Sequence, residues 1–513
     1  MNVETRKTDW DVVIVGAAFS GASLAVLLRR EHPDLRVLVV DRLEKFDRKV
    51  GEATTEIAGH FLHKRLALTS YLANHHISKQ GLRLWFCKED GTSGFGDCAE
   101  VGADYQVRMP AFQLDRAELD EHLAELAVGE GATVRRGVKV GRIDLEAGEV
   151  DVAGERLSAR WIVDASGRAA ALSRQTGNFR KLDEHPTSAI WARFRNVDDL
   201  DGDRLRREFP EFGGSCQASR GAATNHLTGY GWWCWIIPLK GGDVSVGLVY
   251  DTRLFSPPRG GSLTERLLGH LLAHPVGREL FGKAEAIPGE ARTYAGLPYW
   301  SEVIAGRNWQ VVGDAAGFLD PLYSPGLDYC SWTVRCAFGR ISRELRGERV
   351  DLDQLNSRWR SSYRAWFEAL YRDKYFYIGD AELMSAAYLM DIGLFYLGPV
   401  REIVVAPEDD LDCLPFNGPV DRRVAKFMRF YNGRLAAIAK KRRAAGDYGK
   451  RNVGWRELGD GFVPDPRSLK PILTGVRRWL RAEWGALFLR AKTDSHVKPR
   501  GREERVAATE VVV

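Results

Sequence analysis

The chain has 513 residues, 44% hydrophobic and 28% charged, which excludes a disordered polymer and leaves room for two or three domains. A formal net charge of +5 is small for this length and does not point to nucleic acid as the main partner. The seven cysteines (Cys87, Cys98, Cys216, Cys234, Cys330, Cys336 and Cys413) are never spaced CxxC, so neither a zinc site nor a disulfide framework is expected. The N-terminus has no signal-peptide core, and no apolar run approaches the roughly 20 residues needed to span a bilayer. A cytoplasmic protein with reduced thiols, no bound metal and no transmembrane segment is expected.

In chain order, WDVVIV (10–15) predicts a buried parallel strand and GAAFSGASLAVLLRR (16–30) a turn opening into an amphipathic helix. A second strand, RVLVV, leads to Asp41 and Arg42. Gly16 permits the turn, and Gly21 lets the helix pack closely on the sheet. The amides around Ala18 and Ser20 face where a pyrophosphate would lie, and Asp41 is spaced to bind an adenosine ribose. Ala18 departs from GxGxxG, because its methyl crowds the phosphate path. AFQLDRAELDEHL (111–123) predicts a helix with Arg116 in its first turn. WIVDASG (161–167) and WQVVGDAAGFLDP (309–321) predict strands ending at Asp164 and at Gly313-Asp314. Small residues beside an Asp let a ribityl chain or phosphate approach the backbone while the carboxylate takes a hydroxyl. Together these segments resemble the FAD-binding fold of the glutathione-reductase type. No second strand–GxGxxG–helix unit follows, so reduced flavin is expected from a separate flavin reductase.

Residues 231–239, GWWCWIIPL, concentrate three tryptophans in a predicted strand, with LKGGDV (239–244) as a hairpin turn and VSVGLVY (244–250) as its partner. Alternation places Trp233, Trp235 and Ile237 on one face, and Trp232, Cys234 and Ile236 on the other. Trp233-Cys234-Trp235-Ile236-Ile237-Pro238 fits WxWxIP, and so resembles the signature of flavin-dependent halogenases. The segment HISKQGLRLWF (76–86) follows VGEATTEIAGHFL (50–62), as that family's lysine segment follows its VGEAT-like loop. FLDPLYSPGLDYCSW (318–332) corresponds to its flavin-side loop, where Ser324 reads as an N-cap and Pro325 as the first helical residue.

The resemblance covers roughly residues 8–345 and implies an α/β fold. A Rossmann-like FAD-binding domain would span 1–185 and 296–348, with an antiparallel substrate-side sheet inserted at 186–295. A C-terminal helical region would occupy 349–493 and a disordered tail 494–513. It implies that reduced FAD, oxygen and chloride or bromide form hypohalous acid, which passes to Lys79 and halogenates an electron-rich aromatic. Trp233, Trp235, Ile237 and Pro238 would wall the substrate from the flavin. Glu52 and Ala53 would support the flavin, while Ser324, Gly326 and Leu327 would hold halide, with Gly326 and Leu327 also touching cofactor.

Two departures matter. Tryptophan-halogenase relatives carry Ser-Thr-Gly in the last loop, where this chain has Pro325 in place of the threonine and so lacks one N–H. They also carry a glutamate where this chain has Tyr323. The pattern is closer to halogenases of phenols or other small rings, taken free or carrier-bound, with a homodimer compatible. His75 and His76 are minor candidates for catalysis. KKRR (440–443) could meet an acidic carrier, although such a run is usually solvated. VRRWLRAEWGALFLRAK (476–492) reads as a basic amphipathic helix, packed on its own domain or touching a membrane surface. The alternatives to a halogenase are a flavin hydroxylase, suggested by VDASGRAAALSR (163–174), and a flavin-fold binding protein without catalysis.

Overall fold

The strand Trp10–Val15 sits at the centre of a parallel sheet because its apolar run is covered on both faces, leaving Val12, Val13 and Ile14 fully buried. The computed structural model describes residues 8–104, 109–405, 414–416, 419–459 and 461–489. Trp10–Val15 pairs in parallel with Val37–Val40 and with Glu155–Asp164, and Thr133–Arg135 and Trp309–Val311 continue the sheet on either side. The helices Phe19–Glu31, Arg116–Gly129 and Gly326–Leu345 pack together against one face. This layer is the dinucleotide-binding fold expected from the sequence.

The tryptophan-rich strand, Trp232–Pro238, lies inside a second sheet of nine strands, between Thr224–Gly229 and Val244–Asp251. Its two faces serve two cores. Trp233, Trp235 and Ile237 join the main core, whereas Cys234 and Ile236 join a separate one under helices Leu263–Ala273 and Pro275–Phe281. Within 186–295 every strand pairing is antiparallel, as expected. The sheet becomes mixed only where segments outside that range join it, Thr224–Gly229 running parallel to Leu82–Phe86 and Arg456–Gly459 parallel to Ala99–Ala103. Segments inside 1–185 and inside 349–493 therefore supply strands to it, and boundaries drawn at 185 and 349 cut across one hydrogen-bonded unit. Local pattern identifies each strand but carries no sign of which distant strand will pair with it.

Five long helices, Gly326–Leu345, Leu352–Trp366, Ala381–Phe395, Pro419–Ala445 and Leu469–Leu487, close the molecule. The continuous helical stretch Ala381–Val404 is long and apolar enough to cross a membrane, contrary to the sequence expectation. Most of its apolar window is buried in the protein, and within it Asp391 accepts a 2.5 Å hydrogen bond from Lys374 Nζ. The KKRR run is largely structural. Arg442 is buried against Asp380 and Glu382, Arg443 stacks on Tyr230, and Lys440 lies over Phe376. Six cysteines are free thiols, and no metal-binding cluster occurs among the described residues. Cys413 and the tail 494–513 lie outside the described residues.

Candidate active site

The dinucleotide end is built by close backbone approach. Gly16 adopts φ +109°, and a Cβ there would stand 2.3 Å from the carbonyl oxygen of Ala165. Gly313, at φ +63°, leaves the same kind of gap, since a Cβ would meet Ser20 Oγ at 2.2 Å. The helix Phe19–Glu31 starts after Ala18 with no side-chain cap and no acid in its first turn, and Gly21 sits in contact with the Gly16 carbonyl. Arg116 is buried, donates to Asp120 at 3.2 Å and to Gly51 O at 3.4 Å, and keeps an orphaned Nε. Lys49 pairs with the same Asp120 at 2.5 Å. Burial pushes the Asp314 carboxyl up, while Arg116 and Lys49 pull it down. The Phe19 amide at that helix start is already given to Asp120 Oδ1 at 3.1 Å, so it is the glycine-lined turns and the under-satisfied buried guanidinium that suit a pyrophosphate.

Two expected carboxylates are already engaged by the chain itself. Asp41 accepts from the amides of Ala17 and Leu43, so its partners include the glycine-turn backbone. Asp164 accepts from the amides of Ser166 and Leu172 and shapes the turn after its strand, leaving less capacity for a cofactor hydroxyl. Arg42 is exposed, and Ala53 bridges to Gln113. Glu52 is buried against Arg193, whose Nη2 donates to it at 2.5 Å. Burial raises the Glu52 pKa to about 7 against the opposing pull of Arg193.

Lys79 opens onto a cavity of about 730 Å³ between the second sheet and the C-terminal helices. Its side chain is 3% exposed and donates to Thr54 O at 2.8 Å. Burial lowers its pKa to about 8, opposed by the carboxyl groups of Glu56 and Asp328, both of which line the cavity. Asp328 accepts from Thr55 Oγ1 and the Ala58 amide, and burial holds its own pKa well above the usual carboxylate range. Tyr323, Trp366, Tyr371, Tyr388, Tyr396 and Phe462 supply aromatic wall. The aromatic-rich segment 357–380 was expected to cover the substrate chamber or pack in the core, and its Trp366 and Tyr371 do line the cavity. Glu56 and Asp328 did not stand out in the sequence, because only the fold brings residues 55–79, 323–328 and 366–474 together.

The tryptophans do not line this cavity; they stand behind it. Trp233 packs on His226 at 4.8 Å, and its Nε1 donates to Tyr375, which donates in turn to Asp320. Burial and the nearby Lys79 charge push the His226 imidazole down to about 3. Trp235 donates to Ser245 Oγ, on the side of Glu52. Pro238 ends the strand, and the segment that follows Glu52 reaches the cavity directly, since Thr54 O accepts from Lys79 and Thr55 and Glu56 line it. His75 and His76 are elsewhere: His75 bonds Glu118 at the surface, and burial lowers His76 to about 4 beside the Asp115 amide.

The loop before Gly326–Leu345 differs from expectation. Pro325 is the N-cap and Gly326 the first helical residue, so Ser324 does not cap. Tyr323 and Ser324 instead take left-handed conformations, at φ +68° and +61°, and the Ser324 amide is spent on Pro321 O at 3.0 Å. The shift arises because Tyr323 is anchored from the far side, donating to Asp391 at 3.2 Å within a buried network that includes Lys374 and Tyr431. Gly326 and Leu327 remain at the helix start, where amides have no intrahelical acceptor.

Glycine turns and a buried guanidinium lie at one end of the site, and a buried lysine in an aromatic cavity at the other. The family model for tryptophan halogenase matches residues 95–370. The flavin-dependent halogenase chlA of Dictyostelium discoideum is 26% identical over 416 residues, covering 73% of this chain and 68% of that protein. The menaquinone reductase of Mycobacterium tuberculosis is 29% identical over 361 residues, covering 67% of this chain and 78% of that one. The crystal structure of halogenase PltM in complex with phloroglucinol and FAD superposes with a TM-score of 0.72 at 18% identity, covering 92% of this chain and 96% of that one. The chain belongs to the tryptophan halogenase family and is a flavin-dependent halogenase with FAD as its cofactor.

Proposed function

We propose that this enzyme halogenates a small electron-rich aromatic, with a phenol as the favoured ring, and that Lys79 delivers the halogen. The observation that carries the reading is the buried Lys79 amine at a cavity walled by aromatic side chains. A related fold with phloroglucinol bound, as in PltM, supports the phenolic class. FAD, supplied reduced by a separate reductase, would activate oxygen, the oxidant that turns chloride or bromide into hypohalous acid. The residues Gly16, Ala18, Ser20, Gly21, Arg116, Gly313 and Asp314 would hold the cofactor, and the amides of Gly326 and Leu327 the halide.

The remaining steps belong to the chain. Neutral Lys79 takes the halogen from hypohalous acid, releasing water, and presents it to the ring. Ring attack then transfers the halogen, and a carboxylate such as Glu56, which faces the same cavity, takes the ring proton and passes it to the departing nitrogen, restoring the amine. With a pKa of about 8, about one Lys79 in ten is neutral at pH 7, against about one in three thousand for an ordinary lysine. Because the neutral form grows with pH, turnover is expected to rise about fivefold from pH 7 to 8 and less than twofold from 8 to 9. A pH–rate profile under saturating reduced FAD checks this. Turnover that falls through the same window would assign Lys79 to the charged, hydrogen-bonding role instead.

A further inference from the structure

The helix Leu469–Leu487 carries a second apolar face that the fold does not use. Its buried side packs on the helix Ala381–Phe395 through Ile472 and Gly475, and on the helix Pro419–Ala445 through Trp479. Leu469, Leu473, Leu480, Trp484 and Leu487 recur at helical spacing on another face and are exposed, Trp484 by 67% and Leu487 by 68%. Phe427 and Phe430 of the neighbouring helix Pro419–Ala445 are also exposed, with Phe430 against Trp479 at 5.9 Å. Exposed Lys470, Arg477 and Arg481 flank the stripe, and Glu483, the one acid in the helix, is already paired with Arg434. The same helix reaches the reaction chamber, since Lys470, Pro471 and Thr474 line the outer part of the cavity.

We propose that this face seats the enzyme on an anionic lipid surface with the cavity mouth turned toward the bilayer. An exposed leucine and tryptophan stripe bordered by Lys and Arg has the chemistry of a helix lying in a membrane interface: apolar side chains enter the acyl boundary, tryptophan sits at headgroup level, and cations meet lipid phosphates. A soluble acidic partner would match the cations but leave the apolar stripe in water. A lipophilic aromatic dissolved in the bilayer would then reach Lys79 without crossing water; that substrate class rests on the halogenase reading, whereas the docking itself does not.

Flotation of the full chain with vesicles tests the docking. Binding is expected with equal parts phosphatidylcholine and phosphatidylglycerol, weaker binding with phosphatidylcholine alone, and a decline in high salt. The double variant Leu480→Glu, Trp484→Glu should partition at least about tenfold more weakly while keeping its flavin absorbance and its turnover of a water-soluble phenol. Arg477→Glu with Arg481→Glu should lose the preference for anionic vesicles. No flotation, equal flotation by the variants, or a self-association abolished by Trp484→Glu without lipid binding would each overturn the proposal. So would salt-sensitive capture of an acidic carrier protein in its place. If the docking holds but the bilayer-dissolved phenol is not halogenated faster than its soluble analogue, only the substrate corollary fails.

Discussion

Lys79→Met is expected to be more stable than the parent enzyme and almost inactive. In the folded chain the amine is buried and its pKa falls to about 8, whereas unfolded it returns to the ordinary lysine value. The native state therefore sheds its proton first, and stability rises with pH across the window from about 8 to about 10.5. Below that window the buried ammonium costs about 3 kcal/mol, which methionine removes. Losing the bond to Thr54 O returns about 1 kcal/mol, so a net gain of about 2 kcal/mol is expected at pH 7, vanishing toward pH 10. Halogenation should fall by at least about a hundredfold, since no other amine lies in the cavity among the described residues except Lys470 at its outer part. Denaturant unfolding at the two pH values, with turnover measured alongside, checks both halves. A variant less stable at pH 7 than the parent would show that Lys79 is not held as a strained charge.

Arg193→Leu is expected to lower stability by about 3–5 kcal/mol and to loosen the flavin. Arg193 is fully buried and donates to Glu52 and to Asp115. Removing it leaves Glu52 buried without its counter-charge, in a loop whose Gly51 carbonyl receives Arg116. Glu52 already has a pKa of about 7, so without the arginine it protonates near neutral pH, which limits the loss. Adding Glu52→Gln should then recover part of the stability but not the loop geometry. Unfolding midpoints and the ratio of flavin to protein absorbance give the two readouts. A normal midpoint with full FAD would remove Glu52 and Arg193 from the support of the cofactor loop.

Much of the dinucleotide end is legible in sequence because it is local. Trp10–Val15, the turn at Gly16 and the helix to Glu31 lie within one short stretch, and the strand ends at Asp164 and Gly313 carry the same small-residue signature. The hairpin 232–251 was readable for the same reason: two alternating runs flank Gly241-Gly242. The chamber was not, because it is assembled from segments hundreds of residues apart. Asp328 sits in a helix where its neighbours set its pKa, and Glu56 looks like an ordinary first-turn acid until Tyr396 and Lys79 meet it. The anchoring of Tyr323 through Asp391 likewise depends on a helix 68 residues further on, so the cap assigned to Ser324 was displaced by a tertiary contact.

The most direct measurement follows bromine. The enzyme, with bromide, FAD, a flavin reductase, NADH and a phenol such as phloroglucinol, is sampled by mass spectrometry, alongside Lys79→Ala and a soluble trap for free hypobromous acid. The predicted result is a bromine isotope doublet on the phenol with the parent enzyme. In the variant, FAD occupancy should be unchanged and the bromine should shift from the phenol to the trap. Equal phenol bromination by the variant would contradict the role of Lys79, and an oxygenated, bromine-free phenol from the parent would contradict the halogen transfer itself.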